Sequence, residues 1–378
     1  MPANGHALLS ASASSRWLNC TPSARLCEAF EDEESEFALE GTDAHALCEH
    51  RLRKSLGEEV GEEPKLERYS NEMSDCANAY VEYISEKVSE LKKIGEPIVL
   101  VEQHLDFSKY VPEGFGTGDC VIVSDKKLEI IDFKYGKGVE VSAEKNTQML
   151  LYSLGAIETF GFLYEIETVE MTIFQPRLGN VSSYEISVKD LIKWAEEVLV
   201  PKAKLAYEGK GEFVCGDHCR FCKAKKICKK RAQTHLNLLK FDFKEPPLLT
   251  DEEVEDILDK VETLVSWAED VKGYALEEAL KGKRWERYKL VEGRSNRKIT
   301  DEQAVVEAVT KEGFDPYEKK LLSITELQKR IGKVRFKELV EPYVIKPQGK
   351  PTLVARDDRR DELSIATSDF ADLGEDDN

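Results

Sequence analysis

Residues 98 to 175 read as short, apolar, β-branched segments, and acidic side chains and a lysine interrupt them where a buried strand would carry neither. The segment GFGTGD contains Gly116 and Gly118, ends on Asp119 and opens into CVIV, while KLEIIDFK ends on the triplet Asp132, Phe133, Lys134. The hairpin signal SDKK separates the two. Side chains alternate along a strand, so Asp132 and Lys134 share a side, and an antiparallel neighbour can bring Asp119 alongside them. Such a strand pair builds an oxygen-rich site beside an ammonium group. That site suits Mg2+ or Mn2+, which take carboxylate ligands and acidify a bound water. Further along, QMLLY places Gln148 and Tyr152 four apart, on one face of a helix.

These residues resemble the PD-(D/E)XK nuclease superfamily, and within it the RecB-like branch, whose pattern runs His, GxxD, (D/E)xK, QxxxY. The chain carries each element in order: Gly41, His45 and Glu49 in GTDAHALCE, Asp119 in GTGD, Asp132 and Lys134 in DFK, then Gln148 and Tyr152. The resemblance implies a restriction-endonuclease-like α/β fold, a central mixed sheet flanked by helices, followed by a mainly helical C-terminal region. It further implies a metal-dependent DNA exonuclease. Asp119, Asp132 and His45 would hold the metal. Lys134 would activate water or stabilise phosphate charge, Gln148 would hold the lysine or the water, and Tyr152 would contact the DNA backbone. Read without the resemblance, a single Asp at a hairpin is a solvated edge residue and a single His a packing residue. The ordered set is what separates the two readings.

A second group is CRFCKAKKIC, which holds Cys219, Cys222 and Cys228. The pattern is similar to that of the iron-sulfur nucleases, the AddB subunit of recombination nucleases and the RecB-related CRISPR exonucleases. There a fourth thiolate comes from near the N-terminus, which implies Cys20 in SASASSRWLNCTPSARL and a 4Fe-4S cluster. Thr21 stands between Cys20 and Pro22, where the commoner pattern has proline directly after cysteine. By chemistry alone, four thiolates also make a tetrahedral Zn2+ site, with Cys215 as a local substitute for Cys20 and His218 as a spare. Cys27, Cys48, Cys76 and Cys120 have no CxxC partner and read as ordinary buried thiols. Nine cysteines, an odd number, fit a reducing cytosol better than a disulfide scaffold.

The net charge of −19 runs against a general DNA-binding surface. Residues 211 to 240, however, hold Arg220, Lys223, Lys225, Lys226, Lys229, Lys230, Arg231 and Lys240 against Glu212 and Asp217. Acid collects instead in EAFEDEESEFALE and in the tail DFADLGEDDN. No apolar run reaches the roughly 18 residues of a membrane span, and the N-terminus lacks the pattern of a secretion signal, so a cytoplasmic protein with no membrane partner is expected.

Three regions are expected: a nuclease domain over 1–244, a mainly helical accessory domain over 245–355, and an acidic disordered tail over 356–378. Helices are predicted for the segment around His45, for SDCANAYVEYISEKVSELKK, and after capping signals at Thr250 with Glu253, Thr300 with Gln303 and Ser323 with Glu326. Strands are predicted for IVLVEQHLDF, GDCVIVS, KLEIIDFK and TVEMTIFQPR, and a strand-like stretch for RWERYKLVEGRSNRKI. There is no GxxxxGK[ST] loop, so an ATP-driven motor is excluded from this chain. As a whole the chain is similar to phage- or prophage-encoded proteins of unknown function. DNA and phage replication or recombination proteins are the implied partners, in the host cytosol. The rival readings are a catalytically silent DNA-binding or replication-scaffold protein and a zinc-stabilised interaction module.

Overall fold

The computed structural model describes residues 7–31, 35–93, 95–236, 251–291, 301–311, 313, 316–317 and 322–345. Two short helices, α1 (Ser14–Asn19) and α2 (Ser23–Cys27), precede the longer α3 (Glu36–Ser55) and α4 (Asn71–Leu91). Ser35 and Ser70 cap these two, their hydroxyls accepting from Ala38 N and Met73 N. Strands β1 (Ile98–Asp106), β2 (Phe115–Val123) and β3 (Lys127–Phe133) follow, then α5 (Thr147–Phe160), β4 (Thr168–Gln175) and β5 (Asn180–Ser187). The chain continues through α6 (Val188–Trp194) and α7 (Val200–Glu208), joined by one wide helical turn at Ala195–Leu199.

The five strands lie in chain order. Only β3 and β4 run parallel, the other neighbours being antiparallel hairpins. A parallel pair requires a crossover, and α5 is its helix. Strand parity sorts the core into two layers. Val121, Val123, Leu128 and Ile130 pack with α5 residues such as Leu151 and Leu154, whereas Cys120, Ile122, Ile131 and Phe133 pack with Leu47 and Leu52 of α3 and Tyr80 and Ile84 of α4. With helices on both faces, β3 is buried along nearly its whole length, its Glu129 and Asp132 included. Of the fold expected from the sequence, the mixed α/β sheet flanked by helices and the helical C-terminal region are observed. Strand β5 was not anticipated, because its alternating NVSSYEIS is polar enough to read as loop.

After α7 the cysteine loop turns twice, at Asp217–Phe221 and Lys223–Lys226, and enters α8 (Lys229–Leu236). Helix α9 (Asp251–Leu280) packs against it: Arg231 and Lys225 pair with Asp270, Lys226 pairs with Glu277, and His235 stacks on Trp267 with ring centres 5.5 Å apart. Part of the basic cluster is therefore neutralised within the chain. Two compact units divide between Val291 and Glu292, which puts α9 with the sheet rather than with the accessory region that the sequence suggested from residue 245. The second unit contains α10 (Glu302–Lys311), α11 (Ile324–Ile331) and α12 (Lys333–Leu339). Ser323 and Glu326 form the expected capping box of α11. At α10 it is Asp301 whose carboxylate accepts from Ala304 N. Residues 284–291 of the strand-like stretch carry no strand, the polar, charge-rich segment having no partner edge among the described residues. Thr250, Thr300 and the tail 356–378 lie outside the described residues. Among those described, no helix is long and apolar enough to cross a membrane.

Candidate metal centre and cysteine recess

The strand register brings the acids into one row. Cys120 pairs with Ile131, so one step on Asp119 comes level with Asp132. On its other side, Val101 pairs with Cys120 and Gln103 with Gly118, so Glu102 comes level with Asp119. Glu102 itself leaves the ladder, at a positive φ of 51° that is costly for a side chain larger than glycine. Helix α3 supplies His45, and Arg53 fixes that helix by donating to Val101 O at 2.8 Å while pairing with Glu49 at 2.9 Å. His45 Nδ1 lies 3.5 Å from Asp119 Oδ1, and its ring meets Phe133 edge-on. The ligand atoms of His45, Glu102 and Asp119 all fall within 4.8 Å of one another.

Asp132 and Lys134 lie beside this trio. Lys134 Nζ sits 2.8 Å from Asp132 Oδ2, and Gln148 donates from Nε2 to Asp132 Oδ1 at 2.9 Å and accepts from Lys134 at Oε1 at 3.3 Å. This network fixes the amide orientation, because its donor end must face the carboxylate and its acceptor end the ammonium. Asp132 Oδ2 is buried, and the Lys134 ammonium is its partner. Asn146 caps α5 by accepting from Gln148 N and Met149 N, so Gln148 opens the helix at the site. Tyr152 is 7 % exposed; its hydroxyl accepts from Gln148 at 3.3 Å, and its ring fills the space over Gly116, where a Cβ would stand 2.7 Å from Tyr152 Cε1. This glycine is required by close approach.

Mutual charge sets the titration of the site. Burial opposes the Asp119 charge, yet His45, Lys134 and the Phe133 N–H donating to Oδ2 at 2.7 Å outweigh it and hold the carboxyl below its ordinary value. Burial raises Asp132, and the Asp119 charge adds to it against the pull of Lys134. Glu102 is pushed up to about 7 by burial and by Asp119. Burial works against protonation of His45 and Lys134, but Asp119 raises the first, and Asp132 with Asp119 the second. Three carboxylates crowd against one ammonium and one imidazole, so the site is short of positive charge and fits a hard divalent cation.

All five residues expected from the sequence in this region, with His45, therefore converge. Glu102 was missed; the signal available was a lone acid inside the apolar run IVLVEQHL.

The second site joins the N-terminal helices to the loop that follows α7. Cys20, Cys219, Cys222 and Cys228 line one small recess with Arg16, Phe213 and His218. Cys215 is not part of the lining, but its thiol interacts with that of Cys219. Thr21 accounts for the departure from the commoner motif: its hydroxyl donates to Lys210 O at 2.6 Å, tying the N-terminal segment to the end of α7. Gly211 beside it has φ +105° and no room for a Cβ, which would stand 2.2 Å from Thr21 Oγ1. His218 is pushed up to about 10 by its bonds to Cys20 and Cys219, and it lowers both thiols although burial opposes this. Thiolate is the metal-binding form. Cys27 corrects the sequence reading: it is buried, but its Sγ lies 3.8 Å from Cys222 Sγ, a contact between residues 195 apart in sequence. Cys48, Cys76 and Cys120 are buried in the layer between α3, α4 and the sheet, as expected.

Sheet, acid row and thiol recess together define a mixed α/β protein with a candidate metal centre. The family model described as protein of unknown function (DUF2800) matches residues 6–361, and the chain belongs to that family. Among solved structures, the crystal structure of SSO0001 matches at 14% identity with a TM-score of 0.24, over 57% of this chain and 96% of that one, too distant to bear on fold or site.

Proposed function

We infer that this protein is a metal-dependent DNA exonuclease of the RecB-like branch of the PD-(D/E)XK superfamily, serving phage replication or recombination. The observation that carries the reading is the acid row Glu102, Asp119, Asp132, running from the middle of β1 and β2 to the end of β3, with Lys134 and, from the first turn of α5, Gln148. His45, Glu102 and Asp119 would hold Mg2+ or Mn2+, with Asp132 beside them paired to Lys134. A bound ion there would acidify water and neutralise phosphate charge. Lys134 is held protonated by its carboxylates, which favours charge stabilisation at the scissile phosphate over proton abstraction while those carboxylates stay unneutralised. Gln148 orients Lys134 and Asp132, and Tyr152, buried and turned to Gln148, positions that amide rather than reaching DNA.

The same reading puts a 4Fe-4S cluster on Cys20, Cys219, Cys222 and Cys228, with Zn2+ as the alternative. The cluster would staple α1 and α2 to the cysteine loop.

End-labelled single- and double-stranded DNA incubated with purified protein tests the reading. Loss of label should require Mg2+ or Mn2+ and stop with chelator. Protein that binds DNA but never cleaves it, with either ion, would favour the catalytically silent scaffold.

A further inference from the structure

We propose that Cys27 is a resolving thiol for Cys222, closing a reversible disulfide when the recess holds no cluster and peroxide enters it. The two sulfurs are 3.8 Å apart, against about 2.05 Å in a disulfide, so closure needs only a small approach. Both residues sit at element ends. Cys27 is the last residue of α2, and Cys222 occupies the extended junction, at φ −85° and ψ 123°, between two tight turns. Cys222 lines the recess, whereas Cys27 lies behind it, packed with Ala224, Leu26 and Phe30.

That order fixes the chemistry. Of the pair, Cys222 is the one that hydrogen peroxide in the recess reaches; its sulfur bonds one oxygen as the O–O bond breaks, giving a sulfenic acid and, with the thiol proton, water. Cys27 Sγ then attacks that sulfur, the S–S bond forms, the S–O bond breaks, and the hydroxyl leaves with the Cys27 proton as a second water. Two thiols and one peroxide become one disulfide and two waters, two electrons passing to the peroxide. The consequence is protective: a thiol reductant returns both thiols, whereas sulfinic acid at Cys222 would remove a ligand permanently. The purpose rests on the cluster reading above; the chemistry does not.

The test uses full-length, cluster-free protein treated with hydrogen peroxide, alkylated and digested with trypsin without reduction. Trypsin releases Phe221–Lys223 and Leu26–Arg51, and the expected product is these two joined through Cys222 and Cys27, lighter than their sum by two hydrogens. Fragmentation distinguishes Cys27 from Cys48 in the longer peptide. The link should vanish in Cys27→Ser and Cys27→Ala, where Cys222 should advance to sulfinic acid and iron uptake after reduction should fall below that of the unchanged chain. A Cys222 link to Cys219 or Cys228 instead, or equal iron recovery in the Cys27 variants, overturns the proposal. If the unchanged chain binds no iron before oxidation, the cluster reading fails, and the peptide map still decides the Cys27 link.

Discussion

The acid row and the thiol recess are built by opposite means. The first lies on three hydrogen-bonded strands whose register sets Asp119 level with Asp132, with Glu102 bulging from the ladder beside them, and a packed helix delivers Gln148 and Tyr152. The second is assembled from short helices and loops far apart in sequence: Trp17, Leu18 and Ala24 pack into the core with Ala203 and Ala206, and Thr21 to Lys210 and Arg25 Nε to Tyr207 O at 2.7 Å add hydrogen bonds, whereas the cysteine loop itself is held by few contacts. A sheet can carry strain and unpaired charge because its ladder over-determines the backbone, as the positive φ of Glu102 illustrates. A loop site has no such reserve and depends on what its thiols bind. Substitutions should therefore abolish chemistry without unfolding at the first site, and unfold the N-terminal segment without touching the acids at the second.

The largest effect should come from Asp119→Ala and Asp132→Ala, which remove carboxylates that the metal reading requires; metal-dependent cleavage should fall at least about a hundredfold with the fold retained, although Asp119→Ala, which also leaves the Phe133 N–H unpaired, should lower the melting temperature. Cys20→Ser should have the converse outcome. Iron content should drop to background and protease sensitivity should appear within α1 and α2, while circular dichroism of the remaining core persists. Equal iron in that variant, with loss in Cys215→Ser, would move the ligand set to the local cysteines.

Next in size is Gly116→Ala. The added methyl meets Tyr152 at 2.7 Å, and overpacking of this kind costs about 1–3 kcal/mol. Urea unfolding would measure it, and turnover should fall further than stability predicts because Gln148 loses its support.

Glu102→Gln sharpens the comparison through pH. The folded-state value of about 7 lies above the ordinary value of 4.5, so the folded chain binds the extra proton. The stability that this contributes is complete below about 4.5 and is lost as pH rises through about 7. Metal-free protein should therefore weaken between pH 5 and pH 8 by up to about 3 kcal/mol, reduced by solvent screening, and Glu102→Gln should flatten that slope. Added Mn2+ should restore the unchanged chain but not the variant. The smallest effect should be that of Thr21→Val, which deletes one hydrogen bond, worth about 1 kcal/mol, and lowers cluster retention rather than cleavage.

Much of the acid site was legible because strand periodicity and hairpin chemistry are local. SDKK sets the β2–β3 turn, the turn sets the register, and the register places Asp119 level with Asp132. Glu102 was hidden because its contribution depends on the pairing of β1 with β2 and on a backbone departure from that ladder, neither of which a single segment encodes. Cys27 was hidden for the same reason at longer range: only the packing of α2 on the cysteine loop brings it to Cys222. The extent of the first unit was misjudged from a turn-like KEPPLLT, whereas the pairing of α9 with Arg231 and Lys226 is tertiary. What the sequence carried was chemistry expressed within one element or one turn.

The most direct test of two separate sites, a hard one on the sheet and a soft one in the loops, is Mn2+ binding followed by electron paramagnetic resonance on the unchanged chain, Asp119→Asn and Cys20→Ser. Bound Mn2+ should be present in the unchanged chain, lost in Asp119→Asn and retained in Cys20→Ser. Retention in Asp119→Asn, or loss in a Cys20→Ser chain whose sheet remains folded, would contradict the assignment of the acid row as the metal centre.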